Sequence, residues 1–221
     1  MPDPSSNPTQ PIAPDLRNLE SRQSLPTTVV PRIALGRLTG TLLGLSVVVA
    51  IMSQLGEKRE ILDPLFISAN DSGTLPEIAH GQVWRVLTPI FIHFGAIHLI
   101  FNLLWLKDLG SVIERVFGWT RLLALVLTSA VLSNLGQFYF TGPYFGGMSG
   151  VVYSLFGFVW MRSKFDPACG LRLTTQTVVL MIGWFFFCMR FGDIANYAHG
   201  IGLAVGMAWG FFLPKTGDNA A

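Results

Sequence analysis

Long apolar stretches alternate with short polar or glycine-rich segments from about residue 38 to residue 213. A helix that crosses the hydrocarbon core of a bilayer needs ~20 mostly apolar residues. Six stretches approach that length, so we predict an all-α, polytopic membrane protein with six transmembrane helices and a short fourth helix. The predicted spans are Leu38–Leu55, about Phe94 to Ile113, Trp119–Phe140, Ser149–Met161, Thr175–Met189 and Ala198–Leu213.

The composition agrees with a lipid bilayer as the surroundings of this chain. Hydrophobic residues make up 51% of the sequence and charged residues only 13%, whereas a soluble domain carries about 25% charged residues. A net charge of +2 is too close to zero to indicate a nucleic-acid partner. We expect Cys169 and Cys188 to be free thiols, since one lies in a predicted cytoplasmic loop and the other in an apolar helix.

The ends of the chain differ from the middle. Seven prolines lie among the first 31 residues, together with Ser, Asn, Thr and Gln, a composition that cannot bury a core. We therefore expect a disordered, proline-rich cytoplasmic tail over residues 1–37, a membrane domain over 38–213 and a cytoplasmic C-terminal tail over 214–221. The start of the chain does not have the basic and then apolar pattern of a signal peptide.

Lys and Arg residues predict the orientation, because cytoplasmic loops are enriched in them. One side of the predicted bundle carries most of these residues, and we assign it to the cytoplasm together with both termini. That side holds Arg17, Arg22, Arg32, Arg37, Lys107, Arg115, Arg121, Arg162, Lys164, Arg172 and Lys215. The other side holds Lys58, Arg59, Arg85 and Arg190.

The first outer loop, from Gly56 to His93, is unusually long for a compact membrane protein. It contains apolar patches such as Leu65-Phe66-Ile67, so we expect a structure that lies in the membrane interface. The alternative is a simple exposed connector.

Polar side chains within the spans are predicted to meet in one layer. From Ser149 to the predicted end of the fourth span is a rise of ~18 Å, and from His199 to the end of the sixth is ~21 Å. From His98 to the end of the second span is ~22 Å. Residues 141–148 are too rich in Gly and Pro for a regular helix, and irregular backbone at such a depth requires water or surrounding protein. We therefore expect a water-filled cavity that is open to the outer side.

These polar residues are suited to nucleophilic catalysis. A serine hydroxyl needs a base within hydrogen-bond reach, and His199 is our candidate base for Ser149. The oxyanion that forms needs prepositioned donors, for which we select the side chains of His98 and Asn102 and the backbone N–H groups at the start of the fourth helix. The backbone donors are those of Met148, Ser149 and Gly150.

Two further features support this pair of residues. Tyr153, one turn after Ser149, can pack its ring on the imidazole of His199. Small residues form a flat face on each of the two helices and allow their backbones to approach closely. These residues are Gly202, Gly206 and Gly210 on the sixth helix, and Gly150, Ser154 and Gly157 on the fourth.

Other functions remain open at this point. A small-solute transporter also has polar residues at the membrane midplane and broken helices, although the sequence has no internal repeat. A metal-dependent membrane protease is disfavoured because no HExxH motif occurs. His93 and His98 form a candidate metal pair that has no third ligand nearby. Glycine faces alone are more typical of ordinary helix packing without catalysis, and a buried Ser and His alone leave both interpretations open.

Six short motifs resemble those of the rhomboid family of proteases, and most closely its bacterial six-span, GlpG-type branch. The resemblance covers about Gly56 to Leu213. Gly147-Met148-Ser149-Gly150 is similar to the GxSG nucleophile motif, and Ala198-His199 with Gly202 and Gly206 is similar to AHxxGxxxG. The other similar elements are His98 with Asn102 (HxxxN), Trp84-Arg85 (WR), Glu114 with Gly118 (ExxxG), and Tyr153 at the position of the ring that stacks on the histidine.

The resemblance implies an intramembrane serine endopeptidase of the bacterial inner membrane. It implies a Ser149–His199 dyad without an aspartate, so Asp193 is not expected to orient His199, and it implies no cofactor or metal. Its substrates would be membrane-spanning helices that enter sideways near the second and fifth helices, where Phe101, Trp105, Trp184 and Phe185 are candidates to line the gate. The alternative for each of these aromatic residues is that it simply faces the lipid. A rhomboid-like protein that binds membrane clients without cleaving them is the alternative within the family. The sequence does not indicate an oligomeric state.

Overall fold

The structure is a computed structural model, and it describes residues 34–190 and 195–217. These two ranges contain helices and no β-strand, which confirms the all-α class. Six helices of ten or more residues follow one another: α1 (Arg37–Met52), α2 (Ala96–Phe117), α3 (Trp119–Thr141), α4 (Ser149–Phe165), α5 (Thr175–Met189) and α6 (Asn196–Phe212). The predicted tails lie largely outside the described residues.

Two of the described helices, α2 and α3, are long and apolar enough to cross a membrane by length and composition. The apolar helices α1 and α5 are shorter, with 16 and 15 residues. Helix α2 contains a π-helical segment over Leu106–Gly110 and ends where Gly118 adopts a φ of 85°, four residues beyond the predicted end at Ile113.

The predicted end of the first span was wrong. Helix α1 stops at Met52 instead of Leu55, because Gln54 and Leu55 both adopt left-handed backbone conformations with φ of 51° and 58°. Such conformations are unfavourable for residues with a Cβ atom. The tight turn that they form leads directly into the outer loop.

The predicted end of the fourth span was also wrong. Helix α4 continues past Met161 to Phe165, because the charge of Arg162 does not have to reach water. Arg162 is buried and forms an ion pair with Asp166 on the next turn of the chain. Helix α6 begins at Asn196, two residues before the predicted start at Ala198, and ends at Phe212.

Helix α4 lies at the centre of the bundle. Twelve of its 17 residues are buried, so it presents almost no surface to the exterior. Its closest neighbour is α6, where a Cβ atom added at Gly202 or Gly206 would overlap the carbonyl oxygen of Gly150 or Ser154. A Cβ atom at Gly210 would lie 2.7 Å from the carbonyl oxygen of Phe158. The two backbones are therefore in direct contact over three helical turns.

The segment between α1 and α2 is folded and has a small core of its own. Leu62, Phe66 and Ile92 are fully or almost fully buried and pack together. The guanidinium of Arg85 is buried beside them and donates to the carbonyl oxygens of Asp63 and Phe66, at 2.6 and 2.9 Å. Its Nε donates to Gln82 at 2.6 Å. Arg85 thus closes the loop by satisfying backbone groups that would otherwise be buried without a partner.

We expect Arg85→Ala to lower the thermal stability of the protein and to open this loop to proteolysis. The substitution removes the donor of the buried Phe66 carbonyl oxygen and of the partly buried Asp63 carbonyl oxygen, and a buried group left without a partner costs about 1–3 kcal/mol. Limited proteolysis of residues 56–93 and the melting temperature in detergent measure the two effects. Lys58→Ala removes an exposed cation from the same loop and serves as the control. Equal protection of both variants would contradict this role of Arg85.

Candidate active site

Ser149 and His199 are in hydrogen-bonding contact. The distance from His199 Nε2 to Ser149 Oγ is 2.8 Å. Ser149 is the first residue of α4 and His199 the fourth residue of α6, so the glycine-lined contact between the two helices sets their separation. The imidazole is buried, and the serine is half-buried. The structure thus brings together the two residues that the sequence selected as nucleophile and base.

Gly147, just before the serine, allows the chain to enter α4. Its φ of 133° is a conformation that residues with a side chain rarely adopt. A Cβ atom here would lie 2.7 Å from His98 Nε2 and 3.6 Å from Ser149 Oγ. The glycine therefore lets the imidazole of His98 approach the backbone beside the serine.

The hydrogen bonds of His98 determine which of its nitrogens carries a proton. Its Nδ1 accepts a hydrogen bond from the backbone N–H of Phe94 at 3.3 Å. A neutral imidazole that accepts at one nitrogen carries its proton on the other. The Nε2–H group of His98 therefore lies next to Gly147 and Ser149, where it can serve as a donor.

Asn102 and Met148 differ in what they can offer to this site. The Asn102 side chain is buried, and its Nδ2 donates to the carbonyl oxygen of His98 at 2.9 Å, so one of its two N–H bonds is already used. The Met148 side chain is fully buried in the main core. Only the backbone of Met148 can contribute a donor, together with the backbones of Ser149 and Gly150, since the first N–H groups of a helix have no intrahelical acceptor.

The face of His199 packs on Tyr153. The two ring centroids are 4.8 Å apart, with 33° between the ring planes. The Tyr153 hydroxyl donates to the carbonyl oxygen of Met181 on α5 at 3.1 Å, which holds the phenol in place. The Nδ1 atom of His199 is buried and has no hydrogen-bond partner among the described residues. Asp193, which was not expected to orient this imidazole, lies outside the described residues.

The four aromatic residues selected between α2 and α5 do not form one cluster. Phe101 and Trp184 stack across the two helices, with centroids 5.8 Å apart and 15° between the planes. Phe185 instead meets the edge of Tyr153 at 5.7 Å, and Trp105 packs against the main core. Phe101 and Trp184 therefore form an aromatic contact between α2 and α5.

Helix α3 supplies polar residues that the sequence analysis did not select. Ser129, Ser133 and Gln137 are spaced by four, share one face of the helix and are all buried. Gln137 Oε1 accepts the backbone N–H of Ala198 at 2.9 Å, directly before His199. The hydroxyl of Ser133 lies against Gly150. The sequence could have indicated these three residues, because burying polar side chains in an apolar helix is costly and usually has a structural or functional role.

Counting residues from the helix ends proved to be a poor measure of depth. With the observed ends, His199 lies ~20 Å from the end of α6, Ser149 ~24 Å from the end of α4 and His98 ~28 Å from the end of α2. The three predicted values had agreed within a few ångströms. Ser149 and His199 are nevertheless in contact. Helices α4 and α6 therefore extend to different distances beyond this contact.

No group of three or more His, Cys, Asp or Glu side chains that could hold a metal ion lies within residues 34–190 and 195–217. His93 and His98 lie with their ring centroids 5.1 Å apart. Each has its Nδ1 in a hydrogen bond to the backbone, of Phe91 and Phe94 respectively.

Comparisons with known proteins address the family of the chain. The family model of the rhomboid domain matches residues 80–216. The chain is 43% identical over 136 residues to proteins called rhomboid protease GlpG from Salmonella choleraesuis (strain SC-B67), Salmonella newport (strain SL254) and Salmonella typhi. Each match covers 59% of this chain and 48% of the relative, so the chain matches about half the length of these curated relatives.

The rhomboid match takes in α2 to α6 and every residue of the contact between α4 and α6. It includes Ser149, the histidine to which Ser149 is hydrogen-bonded, and the glycines at which the two helices touch. More than half of the chain lies within the match. The chain therefore belongs to the rhomboid family.

Proposed function

We propose that this chain is an intramembrane serine endopeptidase that cleaves membrane-spanning segments of other proteins. The observation that carries the proposal is the 2.8 Å contact between Ser149 Oγ and His199 Nε2 within a rhomboid domain. The name of the relatives, rhomboid protease, supports the same activity. The dyad needs no cofactor.

The first half-reaction forms an ester on Ser149. As Ser149 Oγ attacks the carbonyl carbon of the scissile bond, its proton passes to His199 Nε2. The tetrahedral intermediate then collapses, the C–N bond breaks, and His199 returns the proton to the leaving amine. Tyr153 keeps the imidazole in plane for both transfers, and the face of its ring also attracts the imidazolium that forms.

The second half-reaction releases the acyl group. A water molecule attacks the ester carbonyl while His199 takes one of its protons. The bond to Ser149 breaks, and the serine recovers its hydrogen from His199. This step requires water to reach the dyad, and we infer that it enters from the outer side past the irregular segment before Ser149.

Both half-reactions develop negative charge on the carbonyl oxygen. The donors proposed for it are the backbone N–H groups at the start of α4 and the Nε2–H of His98. Asn102 is a weaker donor in this scheme, since part of its amide is used within α2. Its larger effect is to hold the backbone of His98.

The proposed placement in the membrane follows the helix order and the distribution of charge. All six helices cross the bilayer, both termini face the cytoplasm, and residues 38–213 form the membrane domain in the bacterial inner membrane. The folded segment between α1 and α2 lies in the outer interface. Substrate helices enter between α2 and α5, past Phe101 and Trp184, and unwind locally so that a peptide bond becomes accessible to Ser149.

A fluorophosphonate probe, which forms a covalent bond with an activated serine, tests this function directly. We expect the wild-type protein in detergent or vesicles to be labelled and the Ser149→Ala variant not to be labelled. Ser154→Ala is the matched control, because this buried hydroxyl lies on the same helix without a hydrogen-bond partner. Labelling that persists in Ser149→Ala, or no labelling of the wild type, would favour the non-catalytic or transporter alternatives.

We expect Asn102→Ala to lower the rate of cleavage about 10-fold to 100-fold, well short of the loss caused by removing the dyad. The backbone donors and His98 remain, and a single oxyanion donor is worth about 10²–10³ when it is fully engaged. The kcat for a transmembrane reporter substrate measures the effect. A loss as complete as that of Ser149→Ala would make Asn102 the principal oxyanion donor, and it would contradict the proposal that Asn102 is a weaker donor than His98 and the backbone.

A further inference from the structure

His93 is a fully buried histidine that the proposed reaction does not use. It lies in the outer segment, shortly before α2 begins at Ala96. Its Nδ1 lies 3.1 Å from the carbonyl oxygen of Phe91, and because a carbonyl oxygen can only accept, Nδ1 carries the proton. Burial, and to a smaller extent the nearby His98, lower the pKa of His93 to about 4. The ring is therefore neutral at neutral pH, and its Nε2 holds a lone pair.

The Nε2 atom of His93 has no hydrogen-bond partner within the part of the chain that the structure describes. A buried acceptor that is left without a donor costs about 1–3 kcal/mol. An apolar side chain of similar size could fill the same space without this cost. Stability alone therefore does not account for a histidine at this position, and an unsatisfied buried group calls for another explanation.

His98 is in contact with this segment on two sides. The rings of His93 and His98 pack together, with centroids 5.1 Å apart and 58° between the planes. The backbone N–H of Phe94, the residue after His93, donates to His98 Nδ1 at 3.3 Å. The first contact limits rotation of the His98 ring, and the second reserves its Nδ1 as an acceptor. The Nε2–H group of His98 is thereby held beside Gly147 and Ser149.

The backbone that makes these contacts is itself held in place. Ile92 is fully buried and lies against the glycine-rich backbone before α4, since a Cβ atom added at Gly146 would be 2.5 Å from its Cβ. The bond from His93 Nδ1 to the carbonyl oxygen of Phe91 spans Ile92 and fixes the backbone on either side of it. Loss of this bond would allow the N–H that follows His93 to turn away from His98.

We propose that His93 is a positioning residue that holds His98 with its proton on Nε2, where it can donate to the oxyanion. The ring of His93 restrains the ring of His98, and its Nδ1–H stabilises the turn whose N–H occupies His98 Nδ1. His93 exchanges no proton with the substrate and acts only through His98. The catalytic part of this inference rests on the proposed function, whereas the protonation of His98 can be measured without it.

Nitrogen-15 NMR of the histidine side chains tests the positioning directly, because the chemical shift of a ring nitrogen shows whether it carries a proton. The chain has four histidines, so single substitutions assign their signals. We expect His98 of the full chain in detergent at neutral pH to carry its proton on Nε2 alone, and to show both tautomers in His93→Ala. The control, His80→Ala, removes an exposed imidazole from the same outer segment and is expected to leave the signals of His98 unchanged. A single, unchanged tautomer of His98 in His93→Ala would overturn the proposal.

A double-mutant cycle shows whether this positioning reaches the reaction. We expect His93→Ala to lower the kcat for a transmembrane reporter about tenfold with KM unchanged, since the affected donor acts in the transition state and a fully engaged donor is worth about 10²–10³. In a His98→Ala background the same substitution should change kcat by less than about twofold. Equal tenfold losses in both backgrounds would overturn the proposal, because His93 would then act independently of His98.

His93→Asn separates the hydrogen bond of His93 from its ring. The amide of this variant can donate to the carbonyl oxygen of Phe91 as Nδ1–H does, so we expect it to recover part of the kcat that His93→Ala loses; no recovery would contradict the role given to the turn. The melting temperature of each variant is measured, and His93→Asn replaces His93→Ala in the cycle if the latter does not fold. A wild-type protein that does not cleave would contradict the proposed function alone, since the NMR result still decides whether His93 positions His98.

Discussion

Ser149→Ala is expected to abolish cleavage of a transmembrane reporter substrate while the protein remains folded. The hydroxyl is the only group of this side chain that reacts, and its loss leaves no atom to form the ester. Removing the nucleophile or base of a serine protease typically costs about 10⁴–10⁶ in kcat. The lost hydrogen bond is a single half-buried contact, so the melting temperature is expected to shift by a few degrees at most.

His199→Ala is expected to be as inactive as Ser149→Ala, because the two side chains act as a unit and removing either disables both. Cleavage is measured in vesicles with the same reporter. Matched controls are available on this chain: Ser154→Ala removes a buried hydroxyl without a hydrogen-bond partner from α4, and His80→Ala removes an exposed imidazole from the outer loop. Both controls are expected to cleave at the wild-type rate.

Substantial cleavage by either dyad variant would contradict the proposed chemistry. Cleavage by His199→Ala alone would mean that another base activates Ser149, and His98 would then be the nearest imidazole to examine. Cleavage by Ser149→Ala would mean that the serine only binds. In each case the folded state is checked by the melting temperature, so loss of structure cannot be mistaken for loss of chemistry.

The helical class of the fold and the contact between Ser149 and His199 could be predicted from sequence for a common physical reason. Apolar residues cannot remain in water, and polar residues cannot remain in lipid without partners. Apolar stretches therefore predicted the helices, and Ser149 and His199 could be selected as polar residues within them. The flat glycine faces then indicated which two helices approach each other.

The ends of the helices were harder to predict, because they depend on contacts that are distant in sequence or on local backbone conformation. The turn before Gly56 begins with two left-handed residues, Gln54 and Leu55, that are not glycines, so the sequence does not indicate where the helix stops. Arg162 stays within α4 because Asp166 and the carbonyl oxygens after α6 surround it. An arginine in the sequence alone suggests that a membrane span has ended.

The contribution of α3 to the site was missed for a different reason. Gln137 bonds to the backbone before His199, 61 residues away, and has no motif of its own. Applied to the third span, the criterion that selected Asn102 would have selected Gln137, Ser133 and Ser129 as well. It could not have predicted the partner of Gln137, because that partner is a backbone amide and any residue can supply one.

The close approach of α4 and α6 links stability to activity, so one substitution at their contact should affect both. We expect Gly202→Val to lower the melting temperature strongly and to reduce cleavage to near background. The new Cβ atom would overlap the carbonyl oxygen of Gly150, and backbone atoms cannot move aside as a flexible side chain can. Overpacking a core costs about 1–3 kcal/mol where side chains can adjust, and this contact should cost more. The helices must separate, which lengthens the 2.8 Å contact between Ser149 and His199.

Gly44→Val is the matched control for Gly202→Val, because it makes the same change inside a helix where the added Cβ atom meets no atom within 4 Å. Thermal unfolding in detergent and the rate of reporter cleavage are measured for both variants. A stable but inactive Gly202→Val protein would still show that the contact between α4 and α6 sets the distance between Ser149 and His199, since a small separation suffices to break a hydrogen bond. An unchanged melting temperature and an unchanged cleavage rate would contradict the prediction. The distance between Ser149 and His199 could then not depend on the packing of these two backbones.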